Sequence, residues 1–503
     1  MHIRAHRRFR ITGVKNQNHV NQTSRTGQTP RLAGNTIGTN AGAPAGIVAS
    51  PETAHLRRDL KNRHIQMIAL GGAIGTGLFY GSHASISLAG PAILLTYLVG
   101  GLVIYLVMRA LGEMSVEEPV TGAFSHYAYE HWSQRAGFVS GWNYWFNYIF
   151  VAMAELSVVG LYIQYWFPTV PTWLTAAFCL VFITAVNLLG VKTFGEFEFW
   201  FALIKVIAII GMICLGLAVI FFGITTPGGE APSFAHLVNH GGFFPNGVNG
   251  AVAAFVVVMF SFGGIELIGI TAGEAHEPKK SIPHAINAVI WRILLFYIGS
   301  LAIILAVVPW DKIDGQMSPF VQIFDSVGVQ FAAHILNFVV LTAALSVYNS
   351  GLYSNGRMLY SLAEQGNAPR ILLKLSPQGT PYVGVLVSSA ITIIAVIVVF
   401  LFPDFAFNYL LSIALIAGII NWTMVIITEW KFRSKIGPDG VSQLAFRLPG
   451  GRVASIFVLI MLAICVVLMT TQAAYRVAVI VGPIWLAVLL AGYEIKTRVA
   501  KRG

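Results

Sequence analysis

Three ionisable side chains lie inside stretches that are otherwise apolar: Glu155 in "FVAMAELSVV", Lys205 in "GEFEFWFALIKVIAII" and Glu266 in "SFGGIELIGITAGE". A charge at the centre of a membrane span costs free energy, so such residues are functional candidates by default. No carboxylate stands near Lys205 in the sequence, so we expect burial to favour loss of its proton, which suits proton coupling. The alternative, a structural lysine that donates to carbonyls of a broken helix, is compatible with that role.

The two glutamates each have two interpretations. Glu155 is either a structural group that stays protonated or a second proton carrier. Glu266 follows a glycine pair, where it either binds substrate or bonds to backbone N–H groups that a helix break leaves free.

Two glycine-rich stretches interrupt the apolar segments that must position these side chains. The first, "GGAIGTG" (71–77), lies in the middle of a span predicted near 66–90, which would reach ~37 Å as one helix. The second, with Gly263 and Gly264, lies in a span predicted near 248–270. Close helix packing is the alternative for an isolated case. Two interruptions, each at the start of a set of five spans, favour an inverted repeat whose paired breaks bind substrate at the bilayer midplane.

The composition is that of a membrane protein with many spans. Of 503 residues, 56% are hydrophobic and 11% are charged, and the apolar stretches have the ~20 residues that cross ~30 Å of hydrocarbon. We predict an all-α polytopic fold with 12 transmembrane helices, in a five-plus-five inverted repeat with helices 1 and 6 broken. The net charge of +11 does not indicate nucleic acid, because 29 of the 32 Lys and Arg lie in tails and loops that a cytoplasmic N-terminus places on one side.

The predicted domains follow from this division. Residues 1–54 form a basic, disordered cytoplasmic tail that cannot bury a core, unless the first 50 residues reflect an over-called translation start. Residues 55–495 form the transmembrane domain, and residues 496–503 form a second cytoplasmic tail. Within the domain, repeat one covers about 66–222, repeat two about 248–430, and two extra helices about 453–495.

Enzyme and channel functions are disfavoured. "GGAIGTG" lacks the spacing and the strand context of a phosphate-binding loop, and His126 and His131 form no HExxH site. The three cysteines show no paired spacing. No span carries the row of polar side chains expected of a pore. We therefore predict no catalytic residue, no metal and no cofactor, with a proton gradient as the energy source.

The motifs "GGAIGTGLF", "EPVTGAFSHYAYEHW", "SFGGIELIGITAGE" and "LSVYNSGLYSNGRML" resemble those of bacterial amino acid permeases of the amino acid/polyamine/organocation superfamily, especially aromatic amino acid and phenylalanine permeases. The resemblance covers roughly residues 55–495. It implies proton-coupled import of L-amino acids through the bacterial inner membrane, with membrane lipid as the surroundings and both termini in the cytoplasm. Phe, Tyr and Trp are the favoured substrates. Proline, histidine or γ-aminobutyrate carriers, and a non-transporting amino acid sensor, remain alternatives.

The resemblance also assigns roles to residues. The substrate carboxylate would meet the backbone of Gly75, Thr76 and Gly77, assisted by the Thr76 hydroxyl, and the Phe260 ring would cover the bound substrate. The ammonium would meet the carbonyls of Ala73, Phe260 and Gly263, and Lys205 matches the family's lysine in span five. The remaining candidates for the substrate site are Ile74, Tyr148, Ser261 and Glu266.

Overall fold

The computed structural model describes most of the predicted transmembrane domain, all of it within one compact unit that covers Ala54–Gly503. The predicted tail at 1–54 and the site residue Ala73 lie outside the described residues. These are 62–71, 74–120, 122–224, 230–272, 277–313, 318–326, 330–402 and 406–501.

The described residues form helices and contain no strand. Short 3-10 and π segments join or extend several of the helices. In chain order the α-helices are α1 (Asn62–Gly71), α2 (Thr76–Phe79), α3 (Ser82–Ala89), α4 (Ile93–Glu117), α5 (Ala123–Tyr127), α6 (Gln134–Gln164), α7 (Thr172–Leu188), α8 (Val191–Phe221), α9 (His236–Asn239), α10 (Gly247–Phe260), α11 (Leu267–Thr271), α12 (Pro278–Arg292), α13 (Ser300–Val307), α14 (Pro319–Ser326), α15 (Gln330–Glu364), α16 (Tyr382–Leu401), α17 (Ala406–Gln443), α18 (Gly451–Thr471) and α19 (Arg476–Ala500).

Many of these helices suit a membrane. Within the described part of the chain, nine helical segments are long and apolar enough to cross one, and α7 and α10 are shorter apolar helices. Large apolar side chains are exposed along α7, α8 and α19, such as Val181, Ile207 and Ile480. In lipid such faces need no cover, because hydrocarbon solvates them, whereas backbone polar groups must be paired within the helices.

Helix α6 packs against both α15 and α17, and these are the two most extensive helix–helix contacts of the described residues. Their buried residues include polar and aromatic groups such as Asn143, Tyr148 and Ser346. The Asn143 side chain donates to the Ala417 carbonyl at 2.9 Å and to Asn421 Oδ1 at 2.7 Å, which ties α6 to α17. Helix α15 also contacts α1, α2 and α11, and α17 contacts α10, so both interrupted segments pack against these helices.

Helical structure stops at both of the predicted interruptions. Helix α1 ends at Gly71, and α2 begins at Thr76, so the first predicted span is not one continuous helix. Helix α10 ends at Phe260, and α11 begins only at Leu267. Gly264 between them has φ +99°, a left-handed conformation that side chains with a Cβ rarely adopt.

A buried ion cluster joins α4 to α17 at the end of the unit predicted to face the cytoplasm. Arg433 donates to both oxygens of Glu113, at 2.7 and 2.5 Å, and forms an ion pair with Glu429 at 2.5 Å. Both carboxylates are almost fully buried, and the Leu448 N–H also donates to Glu113 at 2.6 Å. Arg433 therefore balances two charges that have little access to water.

Replacing Arg433 by Met is expected to destabilise the folded protein by about 3 kcal/mol, because it leaves two buried carboxylates without their cation. The measurement is the temperature at which detergent-purified protein loses its monodisperse size-exclusion peak. Lys435→Met, at an exposed position two residues later, is the control and should leave that temperature unchanged. Equal melting of the two variants would contradict the assigned role of the cluster.

A candidate substrate site at two helix interruptions

Lys205 occupies the carbonyl end of the first interruption. It comes from α8, is fully buried, and donates from Nζ to the Gly71 carbonyl at 2.6 Å and to the Ile74 carbonyl at 3.1 Å. The last carbonyls of a helix have no intrahelical partner and carry the negative end of its dipole. An ammonium placed there donates hydrogen bonds to these carbonyls, and the negative end of the helix dipole stabilises its positive charge. The structural role foreseen as an alternative for Lys205 is therefore present.

The statement that no carboxylate stands near Lys205 in the sequence overlooked Glu198. Glu198 lies seven residues earlier on α8 and is fully buried. Ser346 from α15 links the two, since it accepts from Lys205 Nζ at 2.9 Å and donates to Glu198 Oε1 at 2.5 Å. Asn349 donates weakly to Glu198 Oε2 at 3.4 Å. Seven residues are about two helical turns, so both side chains lie on the same side of α8, and the helical period contained this signal.

Glu155 occupies the amide end of the same interruption. The Thr76 hydroxyl, predicted to meet the substrate carboxylate, donates to Glu155 Oε1 at 2.9 Å. A Cβ added to Gly75 would lie 3.2 Å from the same oxygen and 2.8 Å from Val347, so only glycine fits there without a shift. Glu155 Oε2 is buried and has no hydrogen-bond partner among the described residues. A protein carboxylate thus stands where a ligand carboxylate is expected.

Glu266 and Tyr148 belong to the second interruption. Glu266 Oε2 accepts from the Gly264 N–H at 3.2 Å, and Oε1 accepts from the Tyr148 hydroxyl at 3.3 Å. Glu266 thus bonds to an amide that the break leaves free, as in one of its two predicted roles. Tyr148 from α6 also packs against Tyr144, with ring centroids 4.8 Å apart.

The two interruptions are in direct contact. A Cβ added to Gly77 would lie 2.7 Å from the Ser261 Cα and 3.1 Å from the Phe260 ring. Ser261 is held in place by two tyrosines, because Tyr97 shares a hydrogen bond with its hydroxyl at 3.0 Å and Tyr297 donates to its carbonyl at 3.0 Å. The Phe260 carbonyl already accepts from the Gly263 N–H at 2.9 Å, which leaves one lone pair for a further donor.

Most of the predicted site residues are therefore brought together. Lys205 and Glu155 lie at opposite ends of the first interruption, and the second interruption contacts the first at Gly77. The structure does not describe Ala73. Sequence reasoning missed three residues of this neighbourhood: Glu198, Ser346 and Val347.

Comparison with known proteins identifies the family of this arrangement. The family model described as "Amino acid permease" matches residues 64–502. The chain belongs to the amino acid permease family. This membership makes the protein a multi-pass membrane transporter of amino acids and not an enzyme.

Individual relatives agree with the family assignment. The chain is 50% identical to the aromatic amino acid transport protein AroP of Escherichia coli strain K12 over 448 residues, which cover 89% of this chain and 97% of the relative. It is 51% identical to the protein of the same name in Shigella flexneri, with the same coverage. An uncharacterized amino acid permease of Bacillus subtilis strain 168, YtnA, is 47% identical over 87% of this chain and 94% of its own length.

Adding a methyl group at the contact between the interruptions should damage the permease. Gly77→Ala would force the two segments apart, and overpacking of this kind costs about 1–3 kcal/mol, so substrate affinity should fall about tenfold or more. Uptake of labelled amino acid into proteoliposomes measures the loss. Gly211→Ala on α8 is the control, because a Cβ there meets nothing within 4 Å. Wild-type affinity in Gly77→Ala would show that the contact does not shape the site.

Proposed function

We propose that this permease imports aromatic L-amino acids together with protons. The observation that carries the proposal is the pair of buried ionisable groups, Lys205 and Glu155, at the two ends of one helix interruption. The relatives named as aromatic amino acid transport proteins support the choice of Phe, Tyr and Trp.

The proposed fold has twelve spans. Repeat one covers about 66–222 and repeat two about 248–430, followed by two extra helices at about 453–495, with 1–54 and 496–503 as cytoplasmic tails. Support comes from the positions of the two interruptions, which open the proposed repeats and contact each other through Gly77 and Ser261. An odd number of spans per repeat places corresponding segments in opposite orientations, so that two half-helices can meet at mid-membrane. The distribution of Lys and Arg supports cytoplasmic termini and a bacterial inner-membrane location.

The head group of the substrate would bind between the interruptions. Its carboxylate would meet the backbone of Gly75, Thr76 and Gly77 at the positive end of α2. Its ammonium would meet the carbonyls of Phe260 and Gly263, and that of Ala73.

This position creates a conflict with Glu155, and the conflict is the proposed basis of coupling. Glu155 already accepts a hydrogen bond from the Thr76 hydroxyl. An ionised Glu155 and the substrate carboxylate would repel each other at the same half-helix end. If Glu155 takes up a proton from outside, the repulsion ends and the substrate carboxylate can bind. Release of that proton on the cytoplasmic side restores the repulsion and favours release of the substrate. Substrate and proton would thus bind together.

Lys205 is proposed to connect the proton to helix movement. As an ammonium it holds the Gly71 and Ile74 carbonyls, and therefore the end of α1, against α8. Loss of its proton removes the charge that strengthens these bonds and frees α1 to change its position. The Ser346–Glu198 contact provides a second acceptor nearby for the same proton.

The side chain of the substrate would lie beside aromatic residues. Phe260 is buried against Gly77 and is proposed to cover the bound substrate as a gate. Tyr148 on α6 contacts the second interruption through its hydrogen bond to Glu266, and Ile74 and Ser261 complete the proposed lining.

Lys205→Met and Glu155→Gln should each abolish uphill accumulation in proteoliposomes with an imposed pH gradient. The internal substrate concentration should then rise only to the external one. Methionine fills the space without exchanging a proton, and glutamine still accepts from the Thr76 hydroxyl. Exchange of labelled for unlabelled substrate across the same membrane should persist in Glu155→Gln, because that process needs no net proton movement.

Lys192→Met is the matched control, since it removes an exposed lysine from the same helix and should accumulate substrate as the wild type does. Gradient-driven accumulation that survives in both test variants would exclude them as proton carriers. Loss of exchange in Glu155→Gln would instead assign Glu155 to substrate binding.

Excess unlabelled Phe, Tyr or Trp should each suppress uptake of labelled phenylalanine, whereas Pro and His should not, because aromatic rings match the proposed aromatic lining. A panel of all twenty amino acids measures the ranking. Stronger competition by Pro or His would overturn the proposed substrate class. Saturable binding without any uptake would favour a sensor.

A further inference from the structure

A cluster of metal-ligating side chains outside the substrate site lies in the connection between α8 and α10. Its members are Glu230, His236 at the start of the short helix α9, and His240 just after that helix. The distribution of Lys and Arg places this connection on the side predicted to face away from the cytoplasm. His236 is buried, His240 is partly buried and Glu230 is exposed to solvent.

The three ligand atoms converge on one point. Glu230 Oε2 lies 3.1 Å from His240 Nε2 and 3.7 Å from His236 Nε2, and all three atoms lie within 4.8 Å of one another. Around a tetrahedral Zn²⁺ with bonds of about 2.1 Å, neighbouring ligand atoms are about 3.4 Å apart. The two distances from Glu230 lie on either side of that value. If the two imidazoles moved slightly closer together, the three ligand atoms would occupy three corners of a tetrahedron around the ion.

The surroundings orient these ligands. His240 turns its other ring nitrogen, Nδ1, towards Asp311 Oδ1 at 3.4 Å, in the carboxylate–histidine arrangement that orients metal-bound imidazoles. Lys312 contacts the other oxygen of Glu230, Oε1, at 3.2 Å, which leaves Oε2 facing the histidines. The Trp310 indole donates to the His240 carbonyl at 2.9 Å and fixes the backbone of the second histidine.

We propose that Glu230, His236 and His240 bind a divalent transition-metal ion, with Zn²⁺ as the best-matched ion. Two imidazoles and one carboxylate suit Zn²⁺, Ni²⁺ or Cu²⁺, whereas Ca²⁺ and Mg²⁺ prefer sites made of oxygen ligands. The exposed side of Glu230 leaves the fourth coordination position to water. The site shares no residue with the candidate substrate site, and it ties the α8–α10 connection to the segment after α13 through Asp311.

The sequence provides a weak signal for such a site. The two histidines are four residues apart, a spacing that places both side chains on one side of a helical turn. Glu230 stands six residues before His236, and Asp311 is supplied by another connection, so no local motif contains the group.

The test uses the full chain in detergent, purified without a polyhistidine tag and stripped with a chelator. Zn²⁺ titration by calorimetry is expected to find one more bound ion per chain in the wild type than in the double variant His236→Ala/His240→Ala. His284→Ala removes an exposed histidine elsewhere and should bind as the wild type does. Histidines of the N-terminal residues are present in every variant, so their contribution cancels.

Conservative variants test the same site in case the double variant does not fold. Glu230→Gln should weaken the extra site at least about tenfold, and Asp311→Asn should weaken it about 10- to 100-fold by releasing the His240 ring. All variants should transport amino acid as the wild type does. Co²⁺ added to the wild type should give the visible absorption of a site with nitrogen ligands, lost on addition of Zn²⁺. Equal Zn²⁺ binding in wild type and double variant, or a Co²⁺ spectrum of the hydrated ion only, would overturn the proposal.

Discussion

The structure depends on one constraint, which is that a helix interrupted inside a membrane leaves backbone groups that water cannot reach. Each such group without a partner costs several kcal/mol in hydrocarbon. Lys205 meets this demand at the carbonyl end of the first interruption, where it bonds to Gly71 and Ile74. Thr76 and Glu155 are paired at the amide end. The cation lies at the negative end of one half-helix and the acid at the positive end of the next, so the local field opposes neither group.

The groups that stabilise the interruption are also those that a proton and an amino acid would use. In the proposed mechanism Lys205 loses a proton and Glu155 gains one, and each event would weaken a hydrogen bond at the first interruption. A zwitterion presents the same pair of charges and competes for the same backbone. Under this proposal, the hydrogen bonds that stabilise the interruption are the ones that transport would break and remake. The same argument applies to the second interruption, because Ser261 lies directly against Gly77.

Several elements were predictable because they depend on local chemistry. Glycine clusters within apolar stretches predicted where α1 and α10 stop, and one isolated lysine predicted a partner among freed carbonyls. Glu198 was missed, since its relation to Lys205 depends on two helical turns and on Ser346 from a distant helix. The Glu230–His236–His240 cluster was missed because its acidic member lies outside any short motif, and the chain must fold back to bring Asp311 beside it.

The sequence by itself determined the class of protein, because apolar length, charge distribution and glycine placement follow directly from the demands of a lipid environment. It also determined the family, whose motifs lie in short continuous stretches. Only the tertiary structure decided which acid meets Thr76, which serine joins Lys205 to Glu198, and how closely Gly77 approaches Ser261. Each of these contacts joins residues that are far apart along the chain or on different helices. Their geometry depends on helix packing, and a periodic pattern along one segment carries no information about its neighbour across the core.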